Sequence, residues 1–213
     1  MKVLHTSDIH GKYHKVLEAL EADGYSVWVD TGDFFPNKTR GDRDVETKFQ
    51  TKWFGHKNLG ERIVTALAGR PLVSVGGNHD YTSLAQLVRD AGGTAFDLTE
   101  GAAVVNDKTF AGFREVPWIQ GEWNGETHSG DFAPIVDAVM ASNPDVLVTH
   151  APPAGILNND THGGVGQLVN ALAWAPHKVT THFFGHIHST QGVLTEMDIK
   201  FINGAGKAIT HTL

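Results

Sequence analysis

The sequence predicts an α/β fold in which residues 1–213 form a single domain. Three observations support this prediction. Apolar runs of strand length alternate with segments of helical spacing in the first half, polar turns follow the apolar runs, and a hairpin pattern in the second half adds antiparallel strands. The composition, with 40% hydrophobic and 19% charged residues, is typical of a globular protein.

The first half alternates strands with helices. A strand-like run begins at Val3, and apolar residues recur at helical spacing from Val16 onward. Such βαβ alternation predicts parallel strands, whose carboxyl-end loops carry the ligand-binding residues of open α/β sheets. The predicted strands are the run from Val3, 27–31 and 72–75, and the predicted helices lie around 16–20, 45–67 and 84–91.

The second half mixes antiparallel strands into this pattern. Two apolar runs flank the turn Asn106-Asp107, which predicts a hairpin, and a loop over 114–130 follows. Trp118 and Trp123 in this loop are expected to pack against the protein rather than to bind a ligand. A helix begins near Asp131, and three runs at the end predict a C-terminal β meander. The remaining predicted elements are strands over 145–149 and 179–184, a helix around 168–172, and the meander runs 193–195, 201–202 and 208–210.

Charge and residue usage exclude several classes of function. A formal net charge of -7 argues against a broadly basic surface for nucleic acid. The absence of cysteine excludes disulfides, thiolate metal ligands and a cysteine nucleophile, whereas 13 histidines leave a metal site open. No apolar run approaches the length of a membrane span and no signal-peptide core opens the sequence, so we expect a cytoplasmic protein without a membrane partner.

Side chains able to bind metal follow nearly every predicted strand. Each of them alone has an ordinary explanation as a helix cap or a solvated loop residue, but their recurrence at strand ends is poorly explained by coincidence. The pairs Asp8-x-His10 and His186-x-His188 can each direct two side chains to one face. The candidate ligands are Asp8, His10, Asp33, Asn78, His150, His186 and His188.

This donor set predicts two metal ions. Carboxylate, amide and imidazole donors without thiolate suit manganese, iron or zinc, with nickel as a further option, and magnesium is less favoured. Seven ligands are too many for one ion that must also bind substrate. They fit two ions that share one carboxylate, and Asp33 is the expected bridge.

Five short blocks of this sequence, in their order and spacing, resemble those of the calcineurin-like metallophosphoesterase superfamily. The resemblance covers nearly the whole chain. It implies a four-layered α/β/β/α sandwich of two mixed β-sheets flanked by helices. The segment His150-Ala151-Pro152-Pro153 is most similar to small, uncapped phosphodiesterase-type members, and Gly32-Asp33 lacks the following Asp-Arg-Gly signature of protein Ser/Thr phosphatases. The matching blocks are Asp8-x-His10, Gly32-Asp33, Gly77-Asn78-His79-Asp80, His150 and Gly185-His186-x-His188.

The resemblance also implies a role for each site residue. One ion is held by Asp8, His10, Asp33 and His188, and the other by Asp33, Asn78, His150 and His186. His79 then stabilises the transition state or protonates the leaving oxygen, and Asp80 is expected to orient its ring. Arg114 and His162 are candidates for lining the cleft on loop position alone, and the other histidines are expected to lie at the surface or in packing.

The predicted function is a dinuclear metal-dependent phosphoesterase that hydrolyses phosphodiesters by attack of a metal-bridging hydroxide. A small nucleotide or cyclic nucleotide is the first substrate expected, and phosphomonoesters are additional substrates. Two alternatives stay open. One is a nuclease acting on larger nucleic acid, which the acidic charge disfavours, and the other is a non-catalytic metal-binding scaffold for protein partners.

Overall fold

The computed structural model describes residues 1–22, 24–158 and 163–213. The strands are β1 (Lys2–Thr6), β2 (Val27–Asp30), β3 (Leu72–Ser74), β4 (Ala95–Asp97), β5 (Ala103–Val105), β6 (Lys108–Phe113), β7 (Val116–Pro117), β8 (Glu126–Thr127), β9 (Val146–Thr149), β10 (Thr181–Phe184), β11 (Gly192–Glu196), β12 (Ile199–Asn203) and β13 (Ala208–Thr212). The helices are α1 (His14–Glu21), α2 (Arg43–His56), α3 (Leu59–Leu67), α4 (Leu84–Asp90), α5 (Phe132–Ala141) and α6 (Gly166–Trp174).

The first large sheet has the strand order β13-β1-β2-β3-β4. Strands β1 to β4 are parallel to their neighbours, and β13 is antiparallel to β1. Successive side chains of a strand point to opposite faces, so Leu4 packs among the apolar residues of α1 to α4 while Val3 faces the second sheet. One strand of this sheet therefore contributes to two layers of core.

The second large sheet has the order β11-β12-β10-β9-β6-β5. Its four inner strands are parallel, and an antiparallel hairpin closes each edge. Leu147 and Phe184 pack with α5 and α6 on one face, while Val146, Val148 and Phe183 meet the valines of the first sheet on the other. The fold is thus an α/β/β/α sandwich of two mixed sheets, which confirms the predicted fold class.

The structure departs from the predicted elements in three places. The short strand β4 follows Gly92-Gly93 and was not predicted, because three residues are too few for an alternating pattern to show. The two-residue strands β7 and β8 inside the loop over 114–130 were also missed. The predicted C-terminal meander is wrong, since β11 and β12 form a hairpin but β13 crosses to the other sheet and pairs with β1.

The parallel strands place the predicted ligands at one edge of the sandwich. The loops after β1 and β2 are joined by a hydrogen bond from the Asp8 N–H to the Gly32 carbonyl at 2.8 Å. The loops after β9 and β10 are joined in the same way, from the Gly185 N–H to the His150 carbonyl at 3.0 Å. Within each sheet, the polar loops are therefore joined to each other by a backbone hydrogen bond.

Across the described residues, no helix combines the length and the apolar character that crossing a bilayer requires.

A buried histidine makes the fold sensitive to acid. His182 on β10 lies behind the site with Nε2 2.8 Å from Thr149 Oγ1, and burial lowers its pKa to about 3. Between its unfolded pKa of 6.5 and pH 3, the unfolded chain binds one more proton there than the folded chain does. The contribution of His182 to stability is therefore fully present above pH 6.5 and falls by about 1 kcal/mol per pH unit as the pH drops through this range.

We expect His182→Gln to flatten the pH dependence of the unfolding free energy by about one proton between pH 6 and pH 4, because glutamine keeps an N–H donor and does not titrate. Denaturant unfolding of the metal-free protein across this range measures the slope. His56→Gln, at an exposed position on α2, is the control and should follow the wild-type slope. Parallel plots of unfolding free energy against pH for wild type and His182→Gln would contradict the inference that the buried His182 ring is neutral.

Candidate metal centre

The carboxylate of Asp33 lies at the centre of the site. Its residue is 2% exposed, and Oδ1 accepts a hydrogen bond from the His79 backbone N–H at 2.8 Å. The other oxygen, Oδ2, faces the Nε2 atoms of three imidazoles, at 3.4 Å from His150, 3.8 Å from His10 and 4.0 Å from His79. One oxygen is thus held by the backbone, and the other is directed toward potential ligands on several loops.

Asp8 is arranged in a similar way on the neighbouring loop. Its Oδ2 accepts hydrogen bonds from Ser7 Oγ at 2.6 Å and from the His186 backbone N–H at 2.9 Å. Its Oδ1 lies 3.0 Å from Nε2 of His188. These contacts join the end of β1 to the loop after β10, although the two lie almost at opposite ends of the sequence.

The second predicted ligand set surrounds His150, which is fully buried. His150 Nε2 lies 3.1 Å from Asn78 Oδ1, and its ring centroid is 5.0 Å from that of His186. On the far side of the ring, Nδ1 donates to the Thr31 carbonyl at 2.7 Å, which leaves Nε2 as the atom that can bind a metal. Sequence reasoning missed Thr31, because a backbone acceptor carries no signature in residue type.

Among the described residues, three groups of side chains bring their ligand atoms within 4.8 Å of one another. The oxygen and nitrogen donors contain no thiolate, so the set fits the hard and borderline first-row ions predicted from the sequence. Asn78 and His186 lie beside His150 but outside these groups. The groups are Asp8 with His10 and His188, His10 with Asp33 and His79, and Asp8 with Asp33 and His150.

The charged groups of this buried cluster shift one another's pKa values. Burial alone would raise the pKa of the Asp33 carboxyl, but the imidazoles of His150, His79 and His10 lower it well below its ordinary value. Burial would lower the pKa of His150, yet the Asp33 carboxylate outweighs it and raises that pKa to about 10. Burial and the His150 charge lower the pKa of His186 to about 4. The Asp33 carboxylate and the His150 ring therefore stabilise each other's charged forms inside the protein.

Four of the predicted ligands have a left-handed backbone conformation. The φ angles are 53° at Asp8, 45° at His10, 57° at Asp33 and 67° at His186. Non-glycine residues in this region cost on the order of 1 kcal/mol or more each, and such strain persists where the surrounding structure enforces it. The strain marks the strand ends where backbone direction changes abruptly to bring each side chain to the centre.

His79 is oriented by Asn37, not by Asp80. Its Nδ1 lies 2.6 Å from Asn37 Oδ1, and Asn37 Nδ2 donates to the His79 carbonyl at 2.9 Å. A proton on Nδ1 therefore points at Asn37, and Nε2 faces the Asp33 side. The prediction that Asp80 orients the ring is wrong, and sequence reasoning missed Asn37 because it lies in an irregular segment four residues after Asp33.

Asp80 instead ties two loops together beneath the site. Its carboxylate accepts backbone N–H groups from Asp33 at 2.7 Å, Gly77 at 2.9 Å and Phe35 at 3.1 Å. Burial and the nearby Asp33 charge raise its pKa. Asp80 is 2% exposed and accepts the Asp33 N–H, so it positions Asp33.

Glycine is required here for close approach of two backbones. A Cβ on Gly77 would lie 2.1 Å from Asp33 Oδ1, and one on Gly32 would lie 2.4 Å from the Gly77 nitrogen. Both distances are well below van der Waals contact. Gly76 is also close, because its Cβ would meet the Arg114 guanidinium at 3.2 Å. Gly77 therefore provides space for Asp33, and neither Gly76 nor Gly77 has a positive φ.

Two residues of the loop over 114–130 touch the His79 segment. Arg114, a candidate for lining the cleft, holds the loop itself, since its Nη2 donates to the carbonyls of Gly77 at 2.8 Å and Asp80 at 2.6 Å. The ring of Trp123 packs against that of His79 with a centroid distance of 4.1 Å. His162, the other cleft candidate, lies outside the described residues.

Comparison with known proteins identifies the family. The family model described as calcineurin-like phosphoesterase matches residues 1–190. A UPF0046 protein of Caenorhabditis elegans is 29% identical over 219 residues, covering 96% of this chain and 69% of that protein. The solved structure of an archaeal phosphodiesterase superposes with a TM-score of 0.47 at 14% identity, covering 96% of this chain and 84% of that one.

We expect Gly77→Ala to displace the Asp33 carboxylate, because the new Cβ would lie 2.1 Å from Oδ1. Displacing an orienting contact of this kind costs about 10-fold to 100-fold in metal affinity, and overpacking costs about 1–3 kcal/mol of stability. Calorimetric titration with Mn(II) or Zn(II) measures the first effect and denaturant unfolding the second.

Gly55→Ala is the matched control for Gly77→Ala. Gly55 lies inside α2, where a Cβ would meet nothing within 4 Å. We expect this variant to bind metal as the wild type does and to gain about 0.5–1 kcal/mol of stability from helix propensity. Wild-type metal affinity in Gly77→Ala would contradict the close-approach argument.

Proposed function

Because this chain belongs to the calcineurin-like phosphoesterase family, we propose that it hydrolyses phosphodiesters at a centre of two metal ions, within one catalytic domain over residues 1–213. A small nucleotide or cyclic nucleotide is the first substrate class, and phosphomonoesters are additional substrates. The observation that carries the proposal is the Asp33 carboxylate. Its Oδ2 faces the rings of His10, His79 and His150, while the His79 N–H fixes Oδ1.

Two groups of candidate ligands support this proposal. Asp8, His10 and His188 bring their ligand atoms within 4.8 Å of one another, and His150 lies beside Asn78 and His186. Metal ions held by these residues would lower the pKa of a bound water and would polarise the oxygens of the phosphoryl group. Manganese, iron and zinc suit these oxygen and nitrogen donors.

His79 is placed to act on the leaving group. Asn37 binds Nδ1, so Nε2 is the atom that faces the Asp33 side and can donate a proton to the departing oxygen. Burial and the neighbouring charge of His10 lower the pKa of His79, an effect that the Asp33 carboxylate partly opposes.

The substrate class is inferred from the motifs and the overall charge. Gly32-Asp33 continues as Phe34-Phe35-Pro36 and lacks the Asp-Arg-Gly signature, which disfavours a phosphoprotein substrate. The net charge of -7 disfavours a long polyanion, whose binding depends on many basic contacts. A small diester needs only the local positive charge of the metal centre.

An activity panel tests the proposal directly. The protein is reconstituted with Mn(II), Fe, Zn(II) or Ni(II) and assayed against aryl diesters, aryl monoesters, cyclic nucleotides, and single-stranded and duplex nucleic acid. Faster turnover of small diesters supports the proposal, and faster turnover of long nucleic acid supports the nuclease alternative. Metal binding without hydrolysis of any substrate would overturn the enzyme assignment in favour of a scaffold.

We expect His79→Ala to lower kcat by about 10²- to 10⁴-fold, the usual contribution of a general acid, and to leave the bound metal unchanged. Steady-state kinetics and elemental analysis of the purified variant measure the two effects. His56→Ala, at an exposed position on α2, is the control and should retain both activity and metal. Loss of metal from His79→Ala would mean that this ring is a ligand.

Asn37 should act as a positioning residue through His79. Asn37→Leu removes the oxygen that meets Nδ1, and we expect about a 10-fold loss of kcat with little change in KM. Asn37→Asp keeps an oxygen at that position and should recover most of the loss. If both variants lost activity equally, without change in metal content, the oxygen would not be what orients the ring.

A further inference from the structure

One cation beside His79 has no part in the proposed chemistry. Arg40 is exposed, and its Cζ lies 5.3 Å from the ring centroid of Trp123, whose ring packs on His79 at 4.1 Å. Within the part of the chain that the structure describes, no carboxylate lies within ion-pair distance of this guanidinium. An unpaired cation next to the leaving-group residue is notable in a chain with a net charge of -7.

The loop that carries Trp123 is held in place by a single carboxylate. Glu126 Oε2 accepts backbone N–H groups from Ile119 at 2.9 Å, Gln120 at 2.9 Å and Gly121 at 2.6 Å. Its Oε1 accepts the Trp123 N–H at 2.9 Å. Four charge-assisted hydrogen bonds fix the backbone on both sides of this loop, so the position of the Trp123 ring is built into the fold.

A second carboxylate fixes the segment before Arg40. Glu46 is fully buried, and its side chain accepts the backbone N–H groups of Lys38, at 2.9 Å, and Thr39. The two loops are also tied together, because Arg43 Nη2 donates to Asn124 Oδ1 at 2.8 Å. Arg40 and Trp123 therefore contact each other from two loops that hydrogen bonds hold together beside the His79 ring.

The contact leaves part of the guanidinium available for a ligand. An aromatic ring under a guanidinium stabilises the cation through its π face and leaves N–H donors at the guanidinium edge. In the proposed reaction the group attached to the leaving oxygen adjoins His79, and Trp123 and then Arg40 lie next to that ring. An anionic substituent there would form the ion pair that Arg40 lacks within the described chain.

We propose that Arg40 and Trp123 form a subsite for the leaving group and select phosphoesters whose leaving group carries a second anion. This inference rests on the proposed hydrolysis, in which water adds to phosphorus, the ester phosphorus–oxygen bond breaks and the departing oxygen takes a proton. Arg40 takes no part in these bond changes. It binds a carboxylate or phosphate-type group on the part that departs.

Matched aryl diesters test the selection. The substrates are methyl 4-nitrophenyl phosphates that carry a carboxylate, a phosphonate or a neutral carboxamide at position 3 of the ring. For each variant, kcat/KM of the anionic substrate is divided by kcat/KM of the carboxamide. Comparing this ratio between variants cancels differences in intrinsic reactivity between the substrates. We expect Arg40→Gln to lower this ratio about 10-fold relative to wild type, mainly through KM, because a charge-assisted hydrogen bond is lost. A loss for one anion alone identifies which group the subsite accepts.

Arg62→Gln is the matched control. Arg62 on α3 is also exposed and lies over an aromatic ring, with Cζ 5.5 Å from the centroid of Tyr13, but it belongs to the outer helical layer. We expect the ratio of kcat/KM between the anionic substrate and the carboxamide to be the same in Arg62→Gln as in the wild type. Equal ratios in wild type and Arg40→Gln, in an enzyme that turns over the diesters, would overturn the subsite and leave the proposed hydrolysis intact.

A binding measurement separates the two proposals further. In benzylphosphonate analogues of the same substrates, a methylene group replaces the ester oxygen, so they cannot release the aryl group. Calorimetry with the metal-loaded protein compares the anionic analogue with its carboxamide counterpart. A preference for the anion that Arg40→Gln reduces about 10-fold supports the subsite even if no substrate is hydrolysed, and the absence of any such preference overturns it.

Discussion

The contact between the loop after β2 and the loop after β3 is the constraint on which the site depends. Gly32 and Gly77 bring the two backbones so close that neither can carry a Cβ, and Asp33 fills the remaining space. The Asp80 carboxylate then accepts N–H groups from both loops. The two loops and the central carboxylate are therefore placed together, and a change in either glycine is felt at Asp33.

The electrostatics of the site depend on this packing. Two buried carboxylates lie within reach of several imidazoles, and burial makes each charge costly unless another charge balances it. The Asp33 carboxylate beside His150 raises the pKa of that ring to about 10. The same arrangement provides oxygen and nitrogen donors for cations, and the strained backbone at the strand ends is the cost of directing them inward.

Two carboxylates also order the loops around His79. Glu46 and Glu126 each collect backbone N–H groups, so that irregular segments keep a defined shape without regular secondary structure. These loops carry Asn37 and Trp123 into contact with His79 and place Arg40 against the Trp123 ring. The parallel strands thus provide the metal ligands, and the loops provide the residues that can distinguish substrates.

The sequence by itself determined the order of the main strands and helices, the fold class and the candidate ligands at the strand ends. Periodicity of two or 3.6 residues is a local property, and so is the recurrence of Asp, Asn and His after apolar runs. Strand β4 escaped prediction because three residues hold too little pattern. The two-residue strands in the loop over 114–130 escaped it for the same reason.

Only the tertiary structure decided which sheet β13 joins and which residue orients His79. It also decided why Gly32 and Gly77 must lack a Cβ. Strand β13 pairs with β1, and its register depends on residues that are about 200 positions away in the chain. Asn37, rather than Asp80, meets His79 across 42 residues. Gly77 is required by the Asp33 oxygen beside it and not by its own φ angle. Such contacts join distant segments, so local sequence patterns do not encode them.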